Sequence, residues 1–466
     1  MSAEASGSGQ VPSSRARSGL TFREFARKAT HMGVGLIAFA VVFLGPLYSA
    51  LLALAATLMN IFVLPRVGGK MLWRADDERR GRSIGIIAYP AAVLVLILLF
   101  WNHLEVAAGV WAILAFGDGM ASLVGMTVGG PRLPWNPRKT WSGLFGYALF
   151  GTIGAFTLLW WTLEKGGESF HSRAFLLLVA AGAAAFAALI ESQPIELDDN
   201  ISVPLLAALV MHGLLLTESY WPRVDERALL MSFLVGAGVN LALAVPAYLA
   251  RSVDRSGFVA GILVGATIWM ALGWKGWLVL VVFFVLGTGA TKIGYKKKAE
   301  RKLAQEGGGR RSARHALANT SVATIAAFFA SSTPYPEIYL AAFVAAFATA
   351  AGDTLGSEIG QLWGRRTFLI TTLRPVPRGT EGAVSLEGTL AGLFGSFAVA
   401  SLGWALGFYG FTVVLLVTLA AFIGTTLESL IGATVEKAGL LDNESVNFLN
   451  TLIGAVTAGL LVLIAA

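Results

Sequence analysis

Long apolar runs recur along the chain, separated by short segments that carry most of its charge. The runs fall at 32–44, 47–64, 84–101, 105–127, 142–163, 174–190 and 203–217. They continue at 228–249, 257–272, 275–292, 316–332, 337–352, 386–407, 411–433 and 447–465. A helix needs roughly 20 apolar residues to cross a bilayer core. Lipid supplies no hydrogen-bond partners, so the backbone must satisfy itself within each segment, which favours helices. A β-barrel would alternate polar and apolar positions, and segments such as 91–101 and 402–424 do not. The pattern predicts an all-α polytopic membrane protein with about 15 transmembrane helices.

Positive charge gathers in alternate connections. One carries Arg66, Lys70, Arg74, Arg79, Arg80 and Arg82, and the next Arg132, Arg138 and Lys139. Later ones carry Lys296, Lys297, Lys298, Arg310 and Arg311, then Arg365, Arg366, Arg374 and Arg378. The connections around Asn102, Gly273, Pro334 and Gly410 are short and nearly uncharged. Cytoplasmic loops hold an excess of Lys and Arg, so the N-terminus is expected inside and the C-terminus outside. The expected location is a bacterial plasma membrane, with the polar clusters described below on the cytoplasmic side.

The two halves resemble each other. Gly117-Asp118-Gly119 with Ser122 and Gly125 recurs as Gly352-Asp353-Thr354 with Ser357 and Gly360, each pair offset by 235. Arg138-Lys139-Thr140 has a looser echo in Arg378-Gly379-Thr380, and Gly143-Leu144-Phe145-Gly146 recurs as Gly392-Leu393-Phe394-Gly395. Glu191 with Asp198, Asp199 and Asn200 parallels Glu428 with Asp442, Asn443 and Asn447, and Arg80-Gly81-Arg82-Ser83 parallels Gly309-Arg310-Arg311-Ser312. Two parallel seven-helix repeats joined by a linker helix at 228–249 satisfy both the motifs and the topology.

Composition adds limits. The chain is 56% hydrophobic and 14% charged, with a mean hydropathy of +0.69, too little polar content for a water-facing surface. The net charge of +7 is read as loop bias toward the cytoplasm, not as a nucleic-acid surface. There is no cysteine, which excludes disulfides and thiolate metal sites, and the five histidines show no zinc-ligand spacing. Residues 1–22, rich in Ser and Gly with Arg15 and Arg17, read as a disordered tail.

Asp118 and Asp353 each end an apolar run. A carboxylate within lipid costs about 2.5–3.5 kcal/mol, so two copies at one offset argue for a role, and Mg²⁺ bridged to phosphates fits hard oxygen ligands. The alternative for a single copy is a helix-ending Asp-Gly turn. Lys139-Thr140 with Ser142, and Arg378-Gly379-Thr380 with Ser385, place a cation and a hydroxyl before a helix start, a combination suited to phosphate; a snorkelling interfacial cation is the plainer reading. Glu191, Glu196, Asp198, Asp199 and Asn200 run against the sign of the other loops, as a second metal contact or general base would. Capping by Asp199 or Asn200 is compatible with that. The second half offers Glu428, Asp442, Asn443, Asn447 and Asn450, the last two on one helical face. Arg310, Arg311 and Asn319 adjoin a span within a longer basic run, and Arg82 is the first-half counterpart. Arg27, Lys28 and His31 share the opening turns of the first span. No Walker-type loop or Rossmann fingerprint is present.

At these residues the first half resembles the polyprenol, dolichol and phytol kinase family of CTP-dependent membrane enzymes. The resemblance rests on Arg27-Lys28-x-x-His31, Gly117-Asp118-Gly119-x-Ala121, Lys139-Thr140-x-x-Gly143 and Asp198-Asp199-Asn200-x-x-Val203-Pro204. The second half resembles the polytopic family of plant phytyl-phosphate kinase and the human transmembrane-protein-nineteen type. It does so through Gly309-Arg310-Arg311, Ala318-Asn319, Asp353-Thr354-x-x-Ser357-Glu358-x-Gly360, Val376-Pro377-x-Gly379-Thr380-x-Gly382-x-Val384-Ser385 and Gly388-Thr389.

The pairing implies a fusion that phosphorylates a prenyl alcohol such as phytol to the monophosphate and then to the diphosphate. CTP, or another nucleoside triphosphate, would be the donor and Mg²⁺ the cofactor, with the prenyl tails held in the bilayer. Residues 23–217 are then the alcohol kinase, 218–256 a linker, and 257–466 the phosphate kinase. The implied catalytic residues are Asp118, Lys139, Asp198 and Asp199, and Asp353, Arg378 and Glu428. The implied metal ligands are Asp118, Glu191, Asp199, Asp353, Glu358 and Asp442. Nucleotide or phosphate would be bound by Arg27, Lys28, His31, Arg82, Thr140, Ser142 and Asn200 in the first half, and by Arg310, Arg311, Asn319, Ser357, Gly379, Thr380, Ser385, Asn443, Asn447 and Asn450 in the second. A cytidylyltransferase making a CDP-lipid, or a repeat-built transporter, are the competing readings.

Overall fold

The computed structural model describes residues 22–67, 84–167, 171–194, 198–301 and 310–465. The N-terminal tail, Arg82 and Glu196 lie outside the described residues. The chain divides into two compact units, Met1–Leu215 and Leu216–Ala466. It is an integral, multi-pass, almost wholly helical membrane protein, and ten helices among the described residues are long and apolar enough to cross a bilayer.

In the first unit the order is α1 (Phe22–Gly35), a 3-10 turn (Leu36–Ala40), α2 (Val41–Phe62), α3 (Ile84–Leu99) and α4 (Leu104–Ala112). A π-turn (Ile113–Gly117) leads into α5 (Asp118–Thr127), followed by α6 (Trp141–Gly166), α7 (Arg173–Glu191) and α8 (Asp199–Leu215). The run Leu104–Thr127 lies at the centre, packed on α6, with Ile113, Leu158, Leu159, Ala180 and Met211 fully buried. Alanine and glycine crowd these contacts because small side chains let helices approach where lipid gives little hydrophobic drive.

The second unit contains α9 (Glu226–Leu249), α10 (Arg255–Lys292), α11 (Tyr295–Glu300), α12 (Ala313–Ser332) and α13 (Pro336–Trp363). Strands β1 (Thr367–Leu369) and β2 (Ala383–Ser385) precede α14 (Leu386–Ala405), α15 (Phe411–Ile431), a π-turn (Gly432–Glu436) and α16 (Asn443–Ala465). Helix α13 runs through the centre, against α10, α12, α14, α15 and α16, with Phe343 and Phe347 fully buried.

Ten qualifying spans differ from the fifteen expected, for physical reasons. The runs 32–44 and 47–64, and likewise 257–272 and 275–292, are pairs of helices separated at Gly45 (φ 66°) and Gly273 (φ 62°), where the backbone leaves the helical region, and each pair falls within one qualifying run. Only glycine enters that region readily, and the chain folds back there: Tyr89 reaches the His31 carbonyl while Asn60 reaches that of Ile86, and Phe258 and Phe284 line one cavity. Ile84–Leu99 and Asp199–Leu215 are shorter, and α12 carries Arg314, His315 and Asn319. The expected linker helix also belongs to the second unit: α9 packs along α10, with Gly236 against Trp269. The two three-residue strands, paired antiparallel from Thr367↔Ser385 to Leu369↔Ala383, are a small departure from an all-α chain.

One local arrangement occurs in each unit. Thr140 bridges Arg132 and caps α6 by accepting from the Gly143 amide (3.2 Å). Ser385 pairs with Thr367 and caps α14 by accepting from the Gly388 amide (3.1 Å). A Cβ on Gly125 would lie 3.2 Å from the Thr140 hydroxyl, and one on Gly360 the same distance from that of Ser385. The counterpart of Thr140 is thus Ser385, not Thr380 as the sequence order suggests. Gly143 likewise matches Gly388, one helical turn before Gly392.

Candidate polar sites

In the first unit two charged groups form. Lys28, 6% exposed on α1, places its ammonium 2.7 Å from Asp118 Oδ2 at the start of α5. His31, one turn further on, sits 3.6 Å from the same oxygen and hydrogen-bonds the Leu114 carbonyl at 3.1 Å. The π-turn before Asp118 loosens the helical ladder, which lets that carbonyl take a side-chain donor. Tyr89 stacks on His31 at 4.3 Å and is held by the Trp111 indole at 2.8 Å.

The second group gathers at helix ends. Lys139, just before α6, lies 2.7 Å from Glu191 Oε1 at the end of α7, also reaches the Glu191 carbonyl, and is 3.9 Å from Asp199 Oδ2 at the start of α8. Asp198 Oδ1 accepts from the Asn200 amide (3.0 Å) and side chain (2.8 Å). Gly85, at the start of α3, faces Asp198 and Asn200. The starts of α6 and α8 therefore meet beside Lys139, with α3 beginning near Asp198 and Asn200, and most of their first amides are taken up by Pro131, Thr140 and Asp198. Asp118 is within electrostatic range of both Glu191 and Asp199. Tyr147, fully buried on α6 with its ring against Gly117, is within range of all three carboxylates. Nothing in its sequence context singles it out.

Several first-half candidates hold the framework. The Thr140 hydroxyl caps α6 and lies 3.1 Å from that of Ser142, which donates to the Gly129 carbonyl. Arg27 pairs with Glu24 at 3.6 Å.

The second unit is arranged differently. Asp353 on α13, Glu428 on α15 and Glu436 in the π-turn beyond are within electrostatic range of one another. Among the described residues Asp353 makes no ion pair. Glu436, which also senses Glu381, Asp442 and Glu444, was not among the candidates; a carboxylate closing a span was its only sequence signal. The turn before β2 lies against the end of α15, with Gly382 beside Ser429 and Ala433.

Arg378 is not beside Asp353. Its guanidinium reaches the Leu362 carbonyl at 3.4 Å. Gly379 adopts φ 80°, and Thr380 donates to the Pro377 carbonyl (2.8 Å). Ser357 is exposed and bonds the Thr354 carbonyl. Glu358 is buried and paired with Lys298, which is 1% exposed and also donates to the Ala290 and Thr291 carbonyls. Asp442 accepts from the Ser445 amide (3.0 Å) and hydroxyl (2.6 Å) at the start of α16 and pairs with Arg314. Burial opposes its ionisation, but Ser445 and Arg314 prevail and hold its pKa below the ordinary value. Asn447 donates to Asn443 at 3.3 Å, and Asn450 is buried with its Oδ1 lacking a partner. Arg310 is exposed, whereas Arg311 and Asn319 are buried.

Among the described residues no group of three His, Asp or Glu side chains converges into a protein-only cage for a metal. The donors fit Mg²⁺ in another manner. That ion is commonly held by one or two carboxylates together with substrate phosphates. Asp353, Glu428 and Glu436 crowd like charges without an ion-paired cation on Asp353, which a divalent ion would relieve.

These features define a polytopic membrane protein whose two helical units each hold carboxylates close to cationic side chains. The chain belongs to the DUF92 family of integral membrane proteins, whose model matches residues 238–455. An uncharacterized membrane protein of Synechocystis is 45% identical over 197 residues, 42% of this chain and 76% of the relative. Protein VTE6, chloroplastic, of Arabidopsis thaliana is 38% identical over 217 residues, 45% of this chain and 65% of that protein. Probable phytol kinase 2, chloroplastic, of Oryza sativa is 31% identical over 209 residues, 42% of this chain and 67% of that protein. No solved structure matches the chain.

Proposed function

We propose that the chain is a bifunctional isoprenoid kinase. The first unit phosphorylates a prenyl alcohol such as phytol, and the second phosphorylates the resulting monophosphate to the diphosphate. CTP is the expected donor, with Mg²⁺ as cofactor and the chemistry at the cytoplasmic face of a bacterial plasma membrane. The likeness to a probable phytol kinase supports the reaction class. The observation that carries the reading is the presence, within one unit, of the Lys28–Asp118–His31 group and the Lys139–Glu191–Asp199 group, with Asp118 in electrostatic range of the second.

Phosphoryl transfer is chiefly positioning and charge neutralisation. Lys28 and Lys139 supply positive charge beside the carboxylates. An alcohol must lose its proton, and Asp118, Asp199 and His31 are the bases at hand. A phosphomonoester needs no such base, which accords with a second unit that places no histidine beside Asp353 among the described residues. When bound, Mg²⁺ would screen phosphate charge; Asp118 in the first unit, and Asp353 with Glu428 in the second, would hold it.

Purified protein in nanodiscs, given labelled CTP or ATP with phytol and separately with phytyl phosphate, tests this. Transfer of the γ-phosphate to both lipids is expected. Incorporation of a cytidylyl group would make it a cytidylyltransferase, and lipid or ion flux without nucleotide would make it a transporter.

A further inference from the structure

Helices α9, α10 and α12 line a partly open cavity in the second unit. Its walls are mostly apolar, including Leu243, Phe258, Val264, Leu280 and Phe284. Arg311 also lines it. That residue is 8% exposed, and among the described residues its guanidinium makes no hydrogen bond or ion pair. It lies 5.6 Å and 6.0 Å from the ring centroids of Phe283 and Phe284. The backbone around it is fixed: the Arg311 amide donates to the Ser252 carbonyl (3.0 Å), and the Asp254 amide donates to the Arg311 carbonyl (3.1 Å).

A buried charge without a partner is costly. Glu358 is the carboxylate within electrostatic range, but it is already paired with Lys298. Burial lowers the Arg311 pKa to about 10, with Glu358 opposing, so the group is cationic at neutral pH. Asn319 and Thr320 on the same wall add polar atoms. One cation in an otherwise apolar chamber complements an amphiphile with one anionic head. Guanidinium is well matched to phosphate oxygens.

We propose that this cavity receives the single hydrocarbon chain of a prenyl phosphomonoester and that Arg311 binds its phosphate. It is then the acceptor site of the second unit, which rests on reading that unit as a lipid-phosphate kinase. Glu358, within electrostatic range of both Arg311 and Asp353, links the chamber to the acidic cluster.

Gly261 offers a clean probe. It lines the cavity, and a Cβ on it meets nothing within 4 Å, so a larger side chain has room to begin there and would occupy cavity space. Equilibrium binding of labelled phytyl phosphate to the full chain in nanodiscs, without nucleotide, is the test. Arg311→Gln should weaken binding by about tenfold or more, and Arg311→Lys by less. Gly261→Leu should weaken phytyl phosphate strongly and a five-carbon prenyl phosphate little. Inorganic phosphate, phytol, palmitate and phosphatidic acid should compete poorly. Unchanged affinity in both Arg311→Gln and Gly261→Leu would overturn the proposal, as would equal competition by palmitate or phosphatidic acid. If the lipid binds through Arg311 but is never phosphorylated, the kinase reading fails and the pocket stands. If turnover occurs while both variants bind like the parent, the pocket fails and the kinase reading stands.

Discussion

The Lys28 ammonium lies 2.7 Å from Asp118 Oδ2, tying the first helix of the chain to the turn that opens α5. Lys28 is almost fully buried, so the pair is both a structural clamp and the charged centre of the first site. Removing one partner leaves an uncompensated buried charge, at a cost of about 3–5 kcal/mol. Lys28→Ala and Asp118→Ala are each expected to lower the unfolding midpoint in detergent. The double variant should lose less than the sum, because the pair acts as one unit.

Lys298 and Glu358 form a second buried pair. Lys298→Met strands a carboxylate and should destabilise the protein by roughly 3 kcal/mol or more. Lys298→Met with Glu358→Gln should recover most of that loss. Thermal unfolding of the parent and these two variants gives the comparison, and equal loss in the single and double variants would show that the pair is not coupled.

Helices α13 and α14 touch through glycine. A Cβ on Gly388 would lie 2.6 Å from the Gly356 carbonyl oxygen. Gly388→Ala must therefore separate the helices and should cost about 1–3 kcal/mol, with activity on the monophosphate falling along with stability. Ala at Gly261, where a Cβ meets open space, is the control and should leave unfolding unchanged.

Asp442 sets a pH dependence. Its folded pKa lies below the ordinary carboxylate value because Ser445 and Arg314 outweigh the opposing effect of burial. A depressed carboxylate contributes stability that is complete above its unfolded pKa and is lost as pH falls through the folded one. The unfolding midpoint should thus carry no Asp442 effect between pH 6 and 8, near the neutral range. It should drop in acid, and Asp442→Asn should flatten that acid limb. An acid limb identical in both proteins would contradict it.

Much of this was legible in the chain. The apolar runs located the helices because lipid forbids other backbone arrangements, and the offset shared by Asp118 and Asp353 pointed to both polar sites. Gly45 and Gly273 interrupt the hydrophobicity where the chain turns back, so each pair of apolar runs read from the sequence is a pair of helices. The longer connection before α14, which forms a hairpin, displaced the sequence match from Ser385 to Thr380. Of three successive lysines only Lys298 turns inward, and no periodicity distinguishes it from its exposed neighbours. The acidic character around Asp353 was hidden because Glu436 lies far along the chain and only the fold brings it close.

The most direct test of two separate sites is which lipid accumulates when each aspartate is removed. Full-length protein in nanodiscs is supplied with phytol and labelled nucleotide, and the products are separated over time. The parent should yield the diphosphate, Asp353→Asn should stop at the monophosphate, and Asp118→Asn should make nothing from phytol yet convert added phytyl phosphate. Loss of both steps in either folded variant would contradict the account.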